Sequence, residues 1–426
     1  MKKMIVIGGG AAGMMTAALA ADRYKVTLFE KNEKLGKKLF ITGKGRCNLT
    51  NDSDEEEFLR NVVTNSKFLY SAIYAFNQSD VKAYFEKLGL KLKTERGNRV
   101  FPVSDKSSDV IKALEQELKR KKVEVHLNKK VDDIALNIIH KEGADPESDN
   151  PEDMEKKVFG VVVNSDKKIY NADIVVLATG GLSYPQTGSD GDGLKYMKGF
   201  GIDVTKLYPS LVPVRIKEDF CKEMMGLSLK NVKLTFSYMK KNKKKTIYSE
   251  QGEMLFTHFG ISGPLVLSGS SFLHKFNDEE VMISLDLKPA LTEEKLEERV
   301  RRDFEAFKDR EVKNSMGELL PRAIIPFVIG KSNVNPDKKT RMLTPDEIKR
   351  LVQTLKNFSM TYDGLMGFNE AIITSGGIAV KEIDPRTMEI KKIEGLRVAG
   401  EIIDCDALTG GFNLQIAWST AYLASR

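Results

Sequence analysis

The sequence predicts an α/β protein in which a Rossmann-like domain is interrupted by an inserted antiparallel β-barrel with a helical subdomain. Three observations support this prediction. An apolar strand, a glycine turn, a helix and a second strand follow one another within the first thirty residues. From residue 195 onwards, short strand-like runs alternate with turn residues. After residue 369, further strands and a Gly-Gly turn precede a terminal helix.

The glycine turn that follows the strand Met4–Ile7 has the spacing of a dinucleotide-binding motif. Gly8 permits the tight turn and Gly10 lets a pyrophosphate approach the backbone. Gly13 allows close packing of helix on strand. The helix that begins at Ala11-Ala12 offers N–H groups and the positive end of its dipole to the phosphates.

Glu30 ends the second predicted strand, Lys25–Phe29, and is followed by Lys31. A carboxylate at this place can accept hydrogen bonds from ribose hydroxyls and would repel a 2′-phosphate. The strands and helix around the glycine turn favour a dinucleotide site over an ordinary βαβ crossover. This stretch alone leaves FAD and NAD as alternatives.

Composition narrows the class of protein. A chain of 426 residues is long enough for two or more domains. A net charge of +7, from 67 basic and 60 acidic residues, does not by itself indicate nucleic acid binding. The three cysteines Cys47, Cys221 and Cys405 are far apart, which argues against a disulfide framework, a metal cluster or a dithiol flavoenzyme. Because no signal or membrane-length apolar run is visible, we expect a cytoplasmic protein without a membrane partner.

A second motif occupies residues 34–51, where KLGKK is followed by TGKGRCN. Gly43 and Gly45 free backbone amides, and the basic side chains beside them add positive charge. The stretch therefore predicts a loop that faces an anion, with a solvated basic loop as the alternative.

These motifs resemble the signature of the HI0933-like flavoprotein family, which includes BaiN-type bile-acid reductases and aminoacetone oxidases. The resemblance covers essentially the whole chain. It implies non-covalent, extended FAD in a fold of the two-dinucleotide-binding-domain flavoprotein type, with an inserted domain over the isoalloxazine. The cofactor residues that we assign in the second motif are Lys38, Thr42, Gly43, Gly45, Arg46, Cys47 and Asn48.

Two further stretches are expected to contact the cofactor. In flavoproteins of this type a backbone strand near Lys130–Ile134 usually meets adenine, so Val131 is a candidate through its main-chain atoms. The buried strand that ends at Leu177 continues into Ala178, Thr179 and Gly180, whose small size lets the backbone pass close to the cofactor.

The C-terminal block forms the second cofactor-binding end. A strand at 396–398 leads to a Gly-Glu pair, and a Gly-Gly-Phe-Asn segment then begins the last helix. A helix N-terminus in this position aims N–H groups at the O2 side of the isoalloxazine and stabilises negative charge on reduced flavin. The residues added to the predicted site are Gly400, Glu401, Gly411, Phe412, Asn413 and Leu414.

The predicted domain boundaries are 1–194 and 369–426 for the cofactor-binding domain and 195–368 for the insertion, with its helices at about 290–357. Ser315 and Thr344 each begin a capping-box pattern, and Thr292 can cap a further helix. The lysine-rich stretch Lys240–Lys245 predicts the tip of a hairpin, solvated rather than bound to nucleic acid. The polar stretch 144–157 predicts an exposed loop.

The leading functional hypothesis is an FAD-dependent oxidoreductase that acts on a small apolar molecule. By resemblance, one form is NAD(P)H-driven reduction of an activated C=C in a steroid-like enone. The other is oxidation of an amine or aminoketone by oxygen. A tRNA-associated flavoenzyme and a flavin-binding assembly or sensing protein are further alternatives, although no nucleic acid is expected as a partner.

NAD(P)H is expected as the electron donor, and because no second glycine motif with its acid is visible, it would bind only transiently. The flavin performs the redox chemistry, and the protein supplies position and electrostatics. The catalytic residue is therefore not identified from the sequence. The candidates are His258, Arg46 and Tyr184. No metal is expected, and the oligomeric state is left open.

Overall fold

The structure, a computed structural model, describes residues 1–140, 154–276 and 281–426. Among these residues the strands are β1 Lys3–Ile7, β2 Lys25–Phe29, β3 Thr50–Asn51, β4 Leu92–Glu95, β5 Arg99–Pro102, β6 Glu124–His126, β7 Asp133–His140, β8 Met154–Val163, β9 Lys168–Asn171, β10 Ile174–Leu177, β11 Tyr208–Ser210, β12 Val214–Ile216, β13 Ser228–Lys240, β14 Lys243–Thr257, β15 Gly260–Ser262, β16 Val281–Asp286, β17 Phe358–Leu365, β18 Ile373–Ser375, β19 Ile393–Glu394 and β20 Leu396–Val398. Most of the expected loop at 144–157 lies outside the described residues.

The α-helices of the same residues are α1 Ala11–Ala20, α2 Lys37–Ile41, α3 Glu55–Arg60, α4 Tyr70–Ala75, α5 Gln78–Lys87, α6 Ser107–Arg120, α7 Asp192–Gly199, α8 Phe220–Glu223, α9 Pro264–Ser270, α10 Glu293–Ala306, α11 Ile325–Lys331, α12 Pro345–Lys356 and α13 Phe412–Ala424.

The chain forms two compact units, residues 1–210 with 368–426 and residues 211–367. The first unit therefore continues to Ser210, past the expected boundary at 194. The reason is that β11 pairs with β18, which brings the segment after α7 back into the first unit.

The first unit contains a five-stranded parallel sheet in the order β20-β10-β1-β2-β6. β1 and β10 are apolar along almost their whole length, as expected for parallel strands that are covered on both faces. Helices α1 and α13 pack against each other, and α13 is buried on nearly all sides. This architecture confirms the Rossmann-like prediction.

Smaller sheets complete the first unit. They have the orders β3-β5-β4, β19-β8-β7 with β9 paired to β8, and β11-β18. β3 is attached to the last helix, because Thr50 Oγ1 donates to Gln415 Oε1 at 2.6 Å.

The second unit is built on a closed barrel in the order β12-β15-β14-β13-β16-β17, which confirms the expected antiparallel barrel. Large apolar side chains such as Phe236, Phe256 and Phe358 are fully buried in its core. α10 and α12 pack against each other through their apolar faces.

The expected helix starts in the second unit have different outcomes. Thr344 forms the capping box of α12 with Glu347, and Thr292 caps α10. The similar pattern at Ser315 does not begin a helix, and that expectation is wrong. Gly317 and Pro321 follow within six residues, so a regular turn is disfavoured and its hydrogen bonding is interrupted.

Candidate functional site

The glycine turn connects β1 to α1 at the carboxyl edge of the parallel sheet. Gly8, at φ +104°, donates from its amide to Phe29 O at 2.8 Å. A Cβ on Gly8 would lie 2.5 Å from Ala178 O, and one on Gly13 would lie 1.8 Å from Gly8 O. The turn therefore has no room for side chains at either place, because the strand and helix backbones lie in contact.

Glu30 is bound to the same turn. Its Oε2 accepts from the Gly9 amide at 2.7 Å and its Oε1 accepts from the Asn32 amide at 2.8 Å. The carboxylate is thus buried and oriented at the end of β2. Gly9 was missed as a site residue, although its place in the middle of the run Gly8-Gly9-Gly10 was a signal. A Cβ on Gly9 would lie 2.3 Å from a Leu35 methyl.

The first turn of α1 is open to an anion. Gly10 is the N-cap, no side chain caps the helix, and nothing lies within 4 Å of the place that a Gly10 Cβ would occupy. The helix begins with Ala11 and Ala12, whose short side chains leave the N–H groups accessible. The space, the free donors and the helix dipole all suit a pyrophosphate.

Lys31 is engaged with acidic residues at the start of α7 and in the loop before it. Its ammonium lies 2.5 Å from Asp190 and 3.6 Å from Asp192. Burial acts to raise the pKa of Asp192, but hydrogen bonds from Lys130 and Lys195 and the charge of Lys31 outweigh it, leaving that pKa at about 2. These contacts attach the loop to the end of β2, beside Glu30.

The loop at residues 42–48 follows α2 with several left-handed residues, among them Gly43, Lys44 and Cys47. Lys44 is exposed, whereas the Arg46 guanidinium is occupied. It lies 2.5 Å from Glu95, 2.6 Å from Asp105 and 4.1 Å from the centre of the Phe101 ring. Two carboxylates thus offset the Arg46 charge, so any contact of this loop with an anion falls to the backbone amides and Lys44.

Cys47 is fully buried, and burial raises its pKa to about 12. Its amide donates to Thr42 O at 3.1 Å, which closes the loop. A thiol in this state is neutral and inaccessible, so it is a packing residue.

Four segments meet at Lys38 and Glu401. The Lys38 ammonium lies 2.5 Å from Glu401 Oε2 and 2.6 Å from Ser183 Oγ. Ser183 Oγ also donates to Glu401 Oε1 at 2.5 Å, and the Thr374 amide donates to the same oxygen at 2.9 Å. Thr374 Oγ1 in turn accepts from the amides of Leu182 and Ser183.

Ser183 and Thr374 were missed from the sequence. Their only signal was their place beside glycine pairs, at GGLS after β10 and at TSGG at the end of β18. Thr374 Oγ1 would lie 2.4 Å from a Cβ on Gly181, so the segment after β10 is in direct contact with β18.

The N-terminus of α13 lies beside the end of the second motif. Gly411 is the N-cap at φ +101°, and a Cβ there would lie 2.4 Å from the Thr50 carbonyl and 3.0 Å from Asn48 Oδ1. Trp418 Nε1 donates to Leu49 O at 2.9 Å, which attaches the motif to the helix. Phe412 is buried, Leu414 is partly buried, and Gly400 donates from its amide to the α13 residue Thr420.

The side chain of Asn413 has a structural partner. Its Oδ1 accepts from the Ala407 amide at 2.9 Å and its Nδ2 donates to Ala407 O at 2.7 Å. Any contact of Asn413 with a cofactor would therefore be made by its main chain. This agrees with the prediction that the N–H groups of the helix N-terminus contact the flavin.

Other predicted residues lie at the edges of the site. Val131 is buried and its carbonyl accepts from the Tyr196 hydroxyl at 2.6 Å, so any main-chain contact with adenine would fall to its amide. Ala178 donates from its amide to Ile7 O at 2.9 Å and so continues the sheet. A Cβ on Gly193 would lie 2.1 Å from Thr179 Oγ1, which places α7 against the turn at Thr179-Gly180.

The residues of the first unit fit FAD. Asn48 Oδ1 and Thr179 Oγ1 are buried and have no hydrogen-bond partner among the described residues, as is expected of atoms that await a ligand. α1 and α13 both present uncapped N-termini, where Gly10 adds open space. Two helix N-termini suit the pyrophosphate and the electron-rich edge of a flavin.

The three catalytic candidates differ in their surroundings. Arg46 is engaged as described above. His258 is exposed in the turn between β14 and β15 of the second unit. Tyr184, in the first unit, is half-buried at φ +51°, and burial raises the pKa of its hydroxyl. A left-handed backbone is costly for a tyrosine, and such strain concentrates at functional sites.

Asp406 is a buried carboxyl group that the sequence analysis did not anticipate. Asp406 is fully buried, and accepts from Ser210 Oγ at 3.0 Å and from Ser375 Oγ at 3.2 Å. Burial raises its pKa. Ser210 belongs to β11 and Ser375 to β18. Asp406 therefore accepts a hydrogen bond from each strand of this pair.

A family model for the HI0933-like protein Rossmann domain matches residues 2–426. The chain belongs to this family. Membership of the HI0933-like family, with the fold and the dinucleotide site, makes it an FAD-dependent oxidoreductase. Among the described residues, no helix is both long and apolar enough to cross a membrane. Nor do those residues place three or more His, Cys, Asp or Glu side chains together to hold a metal ion.

This HI0933-like chain is similar to curated proteins over its whole length. A Clostridium scindens protein named 3-dehydro-bile acid delta(4,6)-reductase is 29% identical, covering 100% of this chain and 98% of that protein. An Escherichia coli protein named ribosomal RNA dihydrouridine synthase is 28% identical, covering 99% and 96%. A solved 3-ketosteroid delta1-dehydrogenase from Sterolibacterium denitrificans aligns over 100% of this chain and 98% of that one, with 14% identity and a TM-score of 0.52, which supports the fold.

Proposed function

We propose that this protein is an NAD(P)H-driven reductase of a carbon–carbon double bond conjugated to a carbonyl group. The names of two relatives, a bile acid reductase and a dihydrouridine synthase, support the same type of reaction. A 3-dehydro bile acid has a carbonyl conjugated with its delta(4,6) double bonds, and dihydrouridine is uridine in which the ring double bond beside a carbonyl is saturated. The common element is an activated C=C, which was also the leading hypothesis from the sequence.

The overall reaction consumes NAD(P)H, a proton and the alkene. A hydride equivalent adds to the carbon β to the carbonyl and a proton adds to the α carbon, so the π bond is lost and the nicotinamide is oxidised. When bound, FAD supplies the two-electron chemistry that connects donor and acceptor. The chain has to bind the cofactor, stabilise its negative charge and provide the proton.

The observation that carries the proposal is the pair of helix N-termini at the ends of one cofactor site. The α1 N–H groups and Gly10 receive the pyrophosphate, while Glu30 accepts from the ribose. The N-terminus of α13 and Asn48 lie together, and they provide donors and one acceptor for the polar edge of the flavin ring. Donors at this edge favour the reduced, anionic flavin that a reductase must hold.

Tyr184 is the proposed proton donor. Burial raises the pKa of its hydroxyl, so it stays protonated at neutral pH. Its strained backbone is held by the loop, since the Tyr184 amide donates to Phe368 O at 3.0 Å. Arg46 is a weaker choice because Glu95 and Asp105 engage its guanidinium.

The substrate class has two forms within this chemistry, a steroid-like enone and a uracil ring in RNA. The name of the Escherichia coli relative, which contains ribosomal RNA, runs against the expectation that no nucleic acid takes part. Oxidation of an amine or aminoketone by oxygen is the competing reaction type, and the following experiment separates it.

The test is anaerobic stopped-flow mixing of the purified yellow protein with NADH, NADPH or an aminoketone, followed by mixing of the reduced protein with an acceptor. We expect a pyridine nucleotide to bleach the visible flavin band, and a dienone steroid or a uridine-containing RNA to restore it. Bleaching by the aminoketone alone would overturn the proposal in favour of an oxidase. Tyr184→Phe should leave the bleaching rate unchanged and slow the recovery; equal rates in both variants would remove Tyr184 from the mechanism.

A further inference from the structure

The longest hairpin among the described residues of the second unit is formed by β13 and β14. Within residues 1–140, 154–276 and 281–426, β13 pairs with β16 as far as Tyr238 and Val281, and with β14 as far as Lys240 and Lys243. We call the segment from Tyr238 to Lys245, where β13 and β14 pair with each other and are joined by the turn, the hairpin tip. Its lysines are exposed.

The hairpin tip concentrates positive charge on one face. The whole hairpin, residues 228–257, has seven lysines and two glutamates. Lys240 pairs directly with Lys243, and Tyr238 pairs with Lys245. Because side chains alternate along a strand, these four residues share one face. Within residues 1–140, 154–276 and 281–426, none of the seven lysines forms an ion pair.

This arrangement costs folding free energy. Like charges directly opposite each other in a sheet are destabilising. The turn residues Lys241 and Asn242 lie at φ +49° and +59°, the geometry of a two-residue hairpin turn that favours Asn-Gly. A lysine at Lys241 is therefore a poor choice for the turn. The local sequence is better explained by a need for positive charge than by stability.

We infer that the hairpin tip binds the phosphate backbone of RNA. Five lysines of the tip follow one another around a narrow ribbon, and lysines on such a ribbon can contact successive phosphates and release counterions. Tyr238 adds an aromatic side chain on the same face, tilted against Phe276 at 4.7 Å between ring centres. The inference rests on the proposed function, since it selects the RNA-borne form of its substrate.

An anionic membrane is the less suitable partner. Membrane-surface binding needs an apolar face beside the charges, and Met239, half-exposed, is the exposed large apolar side chain that the hairpin tip offers. RNA needs no such face, because its affinity comes from phosphate contacts and stacking.

The test compares two triple variants of the FAD-loaded protein. Lys240, Lys243 and Lys245 are replaced by Gln in one, and Lys295, Lys339 and Lys349 in the other. All six lysines are exposed, so the net charge change is matched. Binding of a fluorescently labelled ribosomal RNA hairpin is measured by anisotropy at several salt concentrations, with vesicles containing phosphatidylserine as a second probe.

The wild type and the control variant should bind the RNA with a steep salt dependence. In the tip variant the slope of log K against log salt should fall by roughly two to three, about one for each phosphate that a lysine no longer neutralises. Equal slopes in the two variants, no RNA binding by the wild type, or binding to vesicles but not to RNA would each overturn the inference. Flavin bleaching by NADPH is measured on the same samples, so a failure of the reductase proposal would appear there and not in the binding data.

Discussion

The Lys38 ammonium and the Glu401 carboxylate lie 2.5 Å apart although 363 residues separate them in the chain. The side chains of both residues are largely buried, at 19% and 13% exposure. The pair joins α2 to the turn after β20, and Ser183 and Thr374 complete its hydrogen bonds. The pair therefore connects the N-terminal part of the cofactor-binding domain to its C-terminal part.

Breaking this pair should be costly. Lys38→Met or Glu401→Gln alone should lower the free energy of unfolding by roughly 3 kcal/mol, because each leaves a buried group without its charged partner. A double-mutant cycle by urea denaturation should give a coupling of about 1–3 kcal/mol. The control is the exposed pair of Glu33 and Lys37, 3.4 Å apart, for which we expect a coupling too small to resolve, because solvent and salt screen exposed charges. Equal couplings in the two cycles would contradict the prediction.

Gly13→Ala should disrupt the glycine turn. A Cβ would lie 1.8 Å from Gly8 O, a backbone atom that cannot move without shifting β1. We expect a loss of at least about 1–3 kcal/mol in stability together with loss of FAD binding, measured by denaturation and by flavin fluorescence. Gly199→Ala is the matched control, since nothing lies within 4 Å of its Cβ position. Normal flavin binding by the Gly13 variant would show that the turn is misassigned.

Asn48→Ala tests whether the buried acceptor serves the cofactor. Loss of one hydrogen bond should weaken FAD binding by about fivefold, equivalent to roughly 1 kcal/mol, and shift the flavin reduction potential. Titration of the apoprotein with FAD and a spectroelectrochemical measurement would detect both changes. Asn171→Ala, at an exposed strand position, should change neither. An unaltered affinity and potential in the Asn48 variant would assign its side chain a purely structural role.

Asp406 should make stability depend on pH. Burial raises its pKa in the folded state, so its favourable contribution is complete below the unfolded pKa and is lost as the pH rises through the folded pKa. Between about pH 4 and pH 7, Asp406→Asn should therefore gain stability relative to the wild type. Urea denaturation across this range measures the difference. The control is the exposed Asp203, whose pKa is lowered by Lys381, so its contribution is present above the unfolded pKa and is lost only as the pH falls. Asp203→Asn should therefore not gain stability relative to the wild type as the pH rises towards 7, and parallel curves for wild type and Asp406→Asn would refute the prediction.

What the sequence determined by itself is local. The strand, turn, helix and strand of the first thirty residues were predictable because Gly8 bonds to Phe29 and Gly9 bonds to Glu30 within one short unit. Thr344 and Glu347 form their capping box three residues apart. In both cases the residues that contact each other are also the residues of the sequence motif. Their type and spacing are therefore enough to predict the local structure.

Only the tertiary structure decided which distant groups meet. Arg46 looked like an anion-binding residue, but the fold pairs it with Glu95 and Asp105 from another sheet and a following turn. Asp406 had no signal at all, because its partners Ser210 and Ser375 are brought to it by the pairing of β11 with β18. Such contacts depend on the chain topology, and one sequence has no local pattern that encodes a partner many residues away.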